Sequence, residues 1–204
     1  MNSRMIALAL TIAVAAVVTV GLSTARADDA KAPASPAALL TALAEAGKPG
    51  PEHKKLEPLV GNWNFTLKMW TDPSQPPAEL KGTIERKWVL GGRFVQESVN
   101  GQCATTGKTF EGLGLVGYHP GEKKFTLTHA CGLCGTASTS LATCDASGRK
   151  FTCTTEECCP LSGQKVSGRD EIVIESNDKV VTNIYKTIDG KEAKVMECVA
   201  IRQK

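Results

Sequence analysis

The sequence predicts an all-β domain, a single antiparallel up-and-down barrel of about eight to ten strands entered by a short helix. Three observations predict it. From Trp63 onward apolar residues alternate with polar ones, the period of a half-buried strand. Turn signals recur roughly every ten residues, at Asp72-Pro73, Gly91-Gly92, Asn100-Gly101, His119-Pro120-Gly121, Asp145 to Gly148, Asn177-Asp178 and Asp189-Gly190. No segment between two strands holds a helix long enough for a parallel crossover. The pattern alone leaves a two-sheet sandwich of the same strands open.

Residues 1–27 have the three parts of a secretory signal peptide: Arg4, an apolar run from Met5 to Leu22, and the small-residue cleavage site Ala25-Arg26-Ala27. Its removal leaves 22 basic and 21 acidic residues, a net charge of +1. The mature protein is expected to be periplasmic or secreted, without a membrane anchor. With no recurring basic face, nucleic acid is excluded as a partner. Residues 28–50 are rich in Ala and Pro and are read as a disordered linker, although Ala38 to Ala46 could form a short helix. The barrel domain is residues 51–204.

Within it, Pro51 to Val60 reads as the entry helix, with proline at its first turn and Gly61 ending it. Glu52-His53-Lys54 reads as solvated surface, with a capping or packing role for His53. The strands follow from their alternating sets: Trp63, Phe65, Leu67, Met69; then Ile84, Arg86, Trp88, Leu90; then Phe125, Leu127, His129; then Ile172, Ile174; then Val180, Ile184, Ile188; and last Val195, Val199, Ile201. On this phasing His129 points inward as a satisfied interior histidine. Arg86, in register with Trp88, either reaches an anionic ligand inside or stacks on an outer face. These two are the candidate ligand-binding residues. Glu85, Glu97, Glu111 and Glu171 fit exposed strand faces, and His119 an exposed turn.

A short helix leading into Gly61-Asn62-Trp63 resembles the opening of the lipocalin-like (calycin) barrels. In them the Trp closes the base and stacks on an Arg of the last strand, for which Arg202 is the candidate here. A closer resemblance spans nearly the whole domain. Glu52-His53-x-x-Leu56-x-x-Leu59-Val60-Gly61-x-Trp63, Leu90-Gly91-Gly92-Arg93-Phe94, Phe110-Glu111-Gly112 into Gly117-Tyr118, Asp189-Gly190-Lys191-Glu192, and Met196-Glu197 through Arg202 are similar to the bacterial family called domain of unknown function 1579. The resemblance implies a calycin-like barrel and no particular activity.

The chain departs from that family after Tyr118. Where much of the family has a Trp and an acidic residue, it reads Thr128-His129-Ala130-Cys131-Gly132-Leu133-Cys134-Gly135. Six of its eight cysteines fall between Cys131 and Cys159, with Cys103 and Cys198 apart. An even count in an exported chain points first to disulfides, with Cys103, Cys131, Cys134, Cys144, Cys153, Cys158, Cys159 and Cys198 as candidates and Cys158 and Cys159 bonded to different partners. Alternatively, His129, Cys131 and Cys134 begin a Zn or Cu site that Cys153, Cys158 or Cys159 completes. The third reading is thiol redox chemistry at Cys131-x-x-Cys134, without the helix N-terminus that lowers the pKa in known Cys-x-x-Cys enzymes.

No Gly-x-Ser-x-Gly elbow and no phosphate-cradling loop occurs, so no catalytic residues are assigned. The expectation is a non-catalytic protein holding a small apolar or amphipathic ligand, with no assigned cofactor. The alternative is a Zn- or Cu-binding protein.

Overall fold

The structure, a computed structural model, describes residues 35–72, 74–188 and 190–204. The expected signal peptide, residues 28–34 of the expected linker, and Pro73 and Asp189 of two expected turns lie outside the described residues. Two helices, α1 (Pro36–Ala46) and α2 (Pro51–Lys54), and a single 3₁₀ turn (Glu57–Leu59) precede ten strands. These are β1 (Gly61–Met69), β2 (Ala78–Val89), β3 (Phe94–Cys103), β4 (Thr109–His119), β5 (Lys124–Cys131), β6 (Thr136–Cys144), β7 (Lys150–Cys158), β8 (Lys165–Ser176), β9 (Lys179–Ile188) and β10 (Lys191–Arg202). Each strand pairs antiparallel with its sequence neighbours, and β1 pairs with β10, so the meander closes into a ring. The sandwich alternative is thereby excluded. Among the described residues no helix is long and apolar enough to cross a membrane.

Helix α1 lies within the segment read as a linker. Ser35 caps it, its hydroxyl accepting from the Ala38 N–H at 3.2 Å, and none of its residues is buried. The single entry helix expected over Pro51 to Val60 is instead α2 followed by the 3₁₀ turn. Pro58, the eighth residue of that stretch, has no N–H for an α-helical bond. His53 is not on solvated surface either, but it has the capping and packing role expected of it. It is buried, and its Nδ1 accepts from the Gly50 N–H at 3.0 Å, while its ring meets Tyr118 edge-on.

Because an up-and-down meander alternates its connections, one end of the barrel carries the β2–β3, β4–β5, β6–β7 and β8–β9 turns together with α2. The other end, the mouth, carries the hairpins β1–β2, β3–β4, β5–β6, β7–β8 and β9–β10. The base is sealed. Leu56, Trp63, Val95, Phe125, Phe151, Ile174 and Val180 are essentially inaccessible, and Phe125 meets Phe151 edge-to-face at 4.9 Å. Trp63 is the centre of this seal. Its Nε1 donates to Leu59 O at 2.9 Å, and the Arg202 guanidinium lies 4.1 Å from its ring centroid. Arg202 also donates to Val60 O, Pro58 O and Asn177 O at 2.7, 2.8 and 2.7 Å, tying the last strand to the chain's entry.

Pairing fixes which residues face the lumen, since directly opposed residues share a face. Register partners of Trp63 and Phe65 place Ile84, Gly82, Arg202 and Ala200 inside. On β10 the inward set is therefore Met196, Cys198, Ala200 and Arg202. The expected set of Val195, Val199 and Ile201 faces out, a one-residue phase error that reverses the strand, and Ile201 is exposed.

Candidate lumen and mouth site

Ten strands enclose a wider interior than eight, and this interior is not purely apolar. On β2 and β3, Arg86 and Glu97 are register partners facing inward. Arg86 Nε donates to Glu97 Oε2 at 2.6 Å, with only 10% and 21% of the two side chains accessible. Glu97 is thus a lumen carboxylate and not the exposed residue expected. It lies against Gly114, where an added Cβ would meet the Glu97 Cβ at 3.0 Å. Arg86 Nη1 is buried without a partner, and the guanidinium sits 5.8 Å from the Trp63 ring centroid. Cys198 faces this pair, and burial pushes its thiol up to about 11.

Asp170 on β8 stands five strands away around the ring of ten, on the opposite wall. Its Oδ1 has no partner. Burial pushes its carboxyl up to about 6 in spite of the attraction of Lys186, and the nearby Glu157 adds to the rise. Beside it the buried thiol of Cys153 is pushed up to about 11, first by burial and then by the Asp170 charge. Lys186 donates to Glu157 Oε2 at 2.7 Å and Thr155 Oγ1 at 3.3 Å. Gly168 makes room for it, because a Cβ there would lie 2.7 Å from Lys186 Cδ. None of this second group except Cys153 was singled out in the sequence. Its signal is a strand whose inward positions read Gly168, Asp170, Ile172, Ile174, visible only once the phase is known.

At the mouth an open hollow of about 580 Å³ lies between the β3–β4 and β5–β6 hairpins, with Gly101, Phe110, Glu111, Gly132 and Leu133 in its lining. A second, of about 370 Å³, adjoins it and includes Cys131, Leu113 and Thr136. The segment His129 to Gly135 therefore does reach a concave surface. His129 is not a buried interior histidine, however. It shares the lumen face with Phe125 and Leu127 but is exposed, because two residues on, at Cys131, the strand ends at the mouth. Arg86 and His129 do not meet. They belong to one register line, Arg86 to Glu97 to Gly114 to His129, across four strands.

The cysteines are placed differently from the expected crosslinks. All eight are free thiols. Cys103, Cys131, Cys134, Cys158 and Cys159 sit at three mouth hairpins, Cys153 and Cys198 on the lumen wall, and Cys144 near the base. The expected metal set is not assembled. Cys134 Sγ is 2.9 Å from Thr136 Oγ1, His129 lies beside Gly112, and no three His, Cys, Asp or Glu among the described residues gather around a common point.

Comparison with known proteins agrees with this architecture. The S-type phycobiliprotein lyase CPES from Guillardia theta superposes with a TM-score of 0.56 at 14% identity, over 79% of this chain and 97% of that one. A structure described as EF1p2_mFAP2b bound to DFHBI gives 0.41 at 10% identity, over 74% and 99%. At these identities the first likeness is one of fold, and the barrel is of the lipocalin-like type. No curated protein matches the sequence. The profile of the family described as "Protein of unknown function (DUF1579)" matches residues 48–202, and the chain belongs to that family.

Proposed function

We propose that the protein is an exported, non-catalytic binding protein that takes one small apolar or amphipathic ligand at the barrel mouth. The observation that carries this reading is the asymmetry of the barrel. One end is sealed around Trp63, while the other opens into a hollow of about 580 Å³ with Phe110 and Leu133 in its lining. Small-ligand sites typically occupy about 300–1,000 Å³ and combine apolar walls with a few polar groups. Phe110 and the exposed Leu133 supply the apolar contact, and Glu111 the polar one. Leu133 is 58% exposed on a hairpin tip, where a large apolar side chain contributes nothing to the core.

Titration with the anionic probe 1-anilinonaphthalene-8-sulfonate and the uncharged N-phenyl-1-naphthylamine tests it. The expected result is saturable binding at one site per chain, weakened about five- to ten-fold by Leu133→Lys, which replaces an apolar contact worth about 1 kcal/mol. Absence of saturable binding of both probes to folded protein would overturn the reading. For export, the expectation is that protein recovered outside the cytoplasm begins at Asp28. A mature chain that retains Met1 would remove that part of the proposal.

A further inference from the structure

Three consecutive mouth hairpins have the same turn. Cys103-Ala-Thr-Thr-Gly107, Cys131-Gly-Leu-Cys-Gly135 and Cys159-Pro-Leu-Ser-Gly163 begin 28 residues apart. In each the glycine takes a left-handed φ, of 67°, 65° and 70°, and its N–H donates to the carbonyl of the leading cysteine at 2.9, 2.9 and 2.8 Å. Cys103 and Cys159 each close their turn by donating to the residue after the glycine, Lys108 O and Gln164 O. Cys131 pairs with the equivalent Thr136.

The equivalence extends to the fourth position. In the outer two turns it is a hydroxyl residue, Thr106 or Ser162, whose Oγ accepts from the N–H of Lys108 or Gln164, and the nearness of that hydroxyl is the main influence holding the leading thiol below its usual range. In the middle turn the same position is Cys134, so a second thiol stands where the hydroxyl would be, three residues after Cys131. Cys134 is exposed and its sulfur also contacts the Thr136 hydroxyl at 2.9 Å, which is the main influence holding this thiol low. Residues i and i+3 of a tight turn lie within about 7 Å, the span a disulfide bridges. The leading cysteines of neighbouring turns are two strands apart, roughly 10 Å at about 4.8 Å per strand, and cannot be bridged without moving backbone.

We propose that Cys131 and Cys134 are a redox-active dithiol at the barrel mouth, which closes to an intra-turn disulfide by exchange with a low-molecular-weight disulfide. The Cys134 thiolate attacks one sulfur of the small disulfide, whose S–S bond breaks and releases one thiolate. Cys131 then gives its proton to solvent and attacks the Cys134 sulfur, and the mixed disulfide breaks to release the second thiolate. Two cysteine thiols are oxidised and one small disulfide is reduced to two thiols. Hydroxyl hydrogen bonding within the turn stabilises the attacking thiolate, where Cys-x-x-Cys enzymes use a helix N-terminus. Cys103 and Cys159 lack a second thiol at the fourth position and stop at the mixed disulfide. The proposal is independent of what the mouth hollow binds.

The test is incubation of the mature protein with glutathione disulfide, an acid quench, alkylation, and mass-spectrometric mapping of each cysteine. The expected wild-type pattern is glutathione on Cys103 and Cys159, and a Cys131–Cys134 peptide lacking two hydrogens and carrying no glutathione. Cys131→Ser is expected to trap glutathione on Cys134. Thr136→Val is expected to slow that adduct about three- to ten-fold, the loss of one hydrogen bond. Wild-type protein with Cys131 and Cys134 both still free, or with stable glutathione on either, while Cys103 and Cys159 react, would overturn the proposal.

Discussion

Replacing Trp63 with alanine is expected to destabilise the barrel by about 3–5 kcal/mol, the range for deleting a large buried aromatic. That range is a large part of a typical domain's total stability. The effect has three sources that share one residue. The indole is 0% exposed at the centre of the base, so its removal leaves a cavity among Leu56, Ile84 and Val95. Leu59 O loses its donor. Arg202 loses the ring beneath its guanidinium, while still holding Pro58 O and Val60 O. Trp63→Phe keeps most of the volume and is expected to fall well short of the alanine loss. Urea unfolding followed by circular dichroism measures both, and equal midpoints for wild type and Trp63→Ala would show that the base does not hold the barrel together.

Asp170→Asn is expected to stabilise the protein, and only above mildly acidic pH. The Asp170 carboxyl titrates at about 6 in the fold and at about 3.9 in the unfolded chain. Between those values the folded state holds the extra proton, so stability falls as pH rises through the window. Its contribution is fully present below about pH 4 and has been lost above about pH 6. That difference in pKa corresponds to about 2–3 kcal/mol. Asparagine has no charge to bury. The stability difference between variant and wild type is therefore expected to be near zero at pH 4 and to grow to about 2 kcal/mol at pH 8. A difference that does not change with pH would show that burial does not hold this carboxyl protonated.

The fold was legible because alternation and turn chemistry agree along most of the chain. Trp63, Phe65 and Ile84 alternate, point inward and are buried. The phase of β10 was not legible, because its lumen residues Cys198 and Ala200 are smaller than the Val199 and Ile201 that face out. Glu97 and Asp170 were hidden for a related reason. Period-two reading assigns polar residues to the solvent side, and a barrel with ions on its inner wall breaks that rule. His53 sits in a charged tripeptide, and only the turn of α2 onto Tyr118 buries it. The cysteine-rich segment stood out by count, but its meaning lay in spacing. Two equal intervals of 28 residues mark three equivalent hairpins, a pattern that counting pairs for crosslinks conceals.

The seam between β1 and β10 also has a consequence for how the molecule is made. Arg202 donates to Val60 across 142 residues of sequence, so the two strands that close the ring are the first and last to be synthesised. Until β10 arrives, β1 and β9 are open edges with unpaired backbone groups, which favour pairing with other chains. Local hairpins can form early, whereas closure waits for the most distant contact in the domain, the kind that makes folding slow.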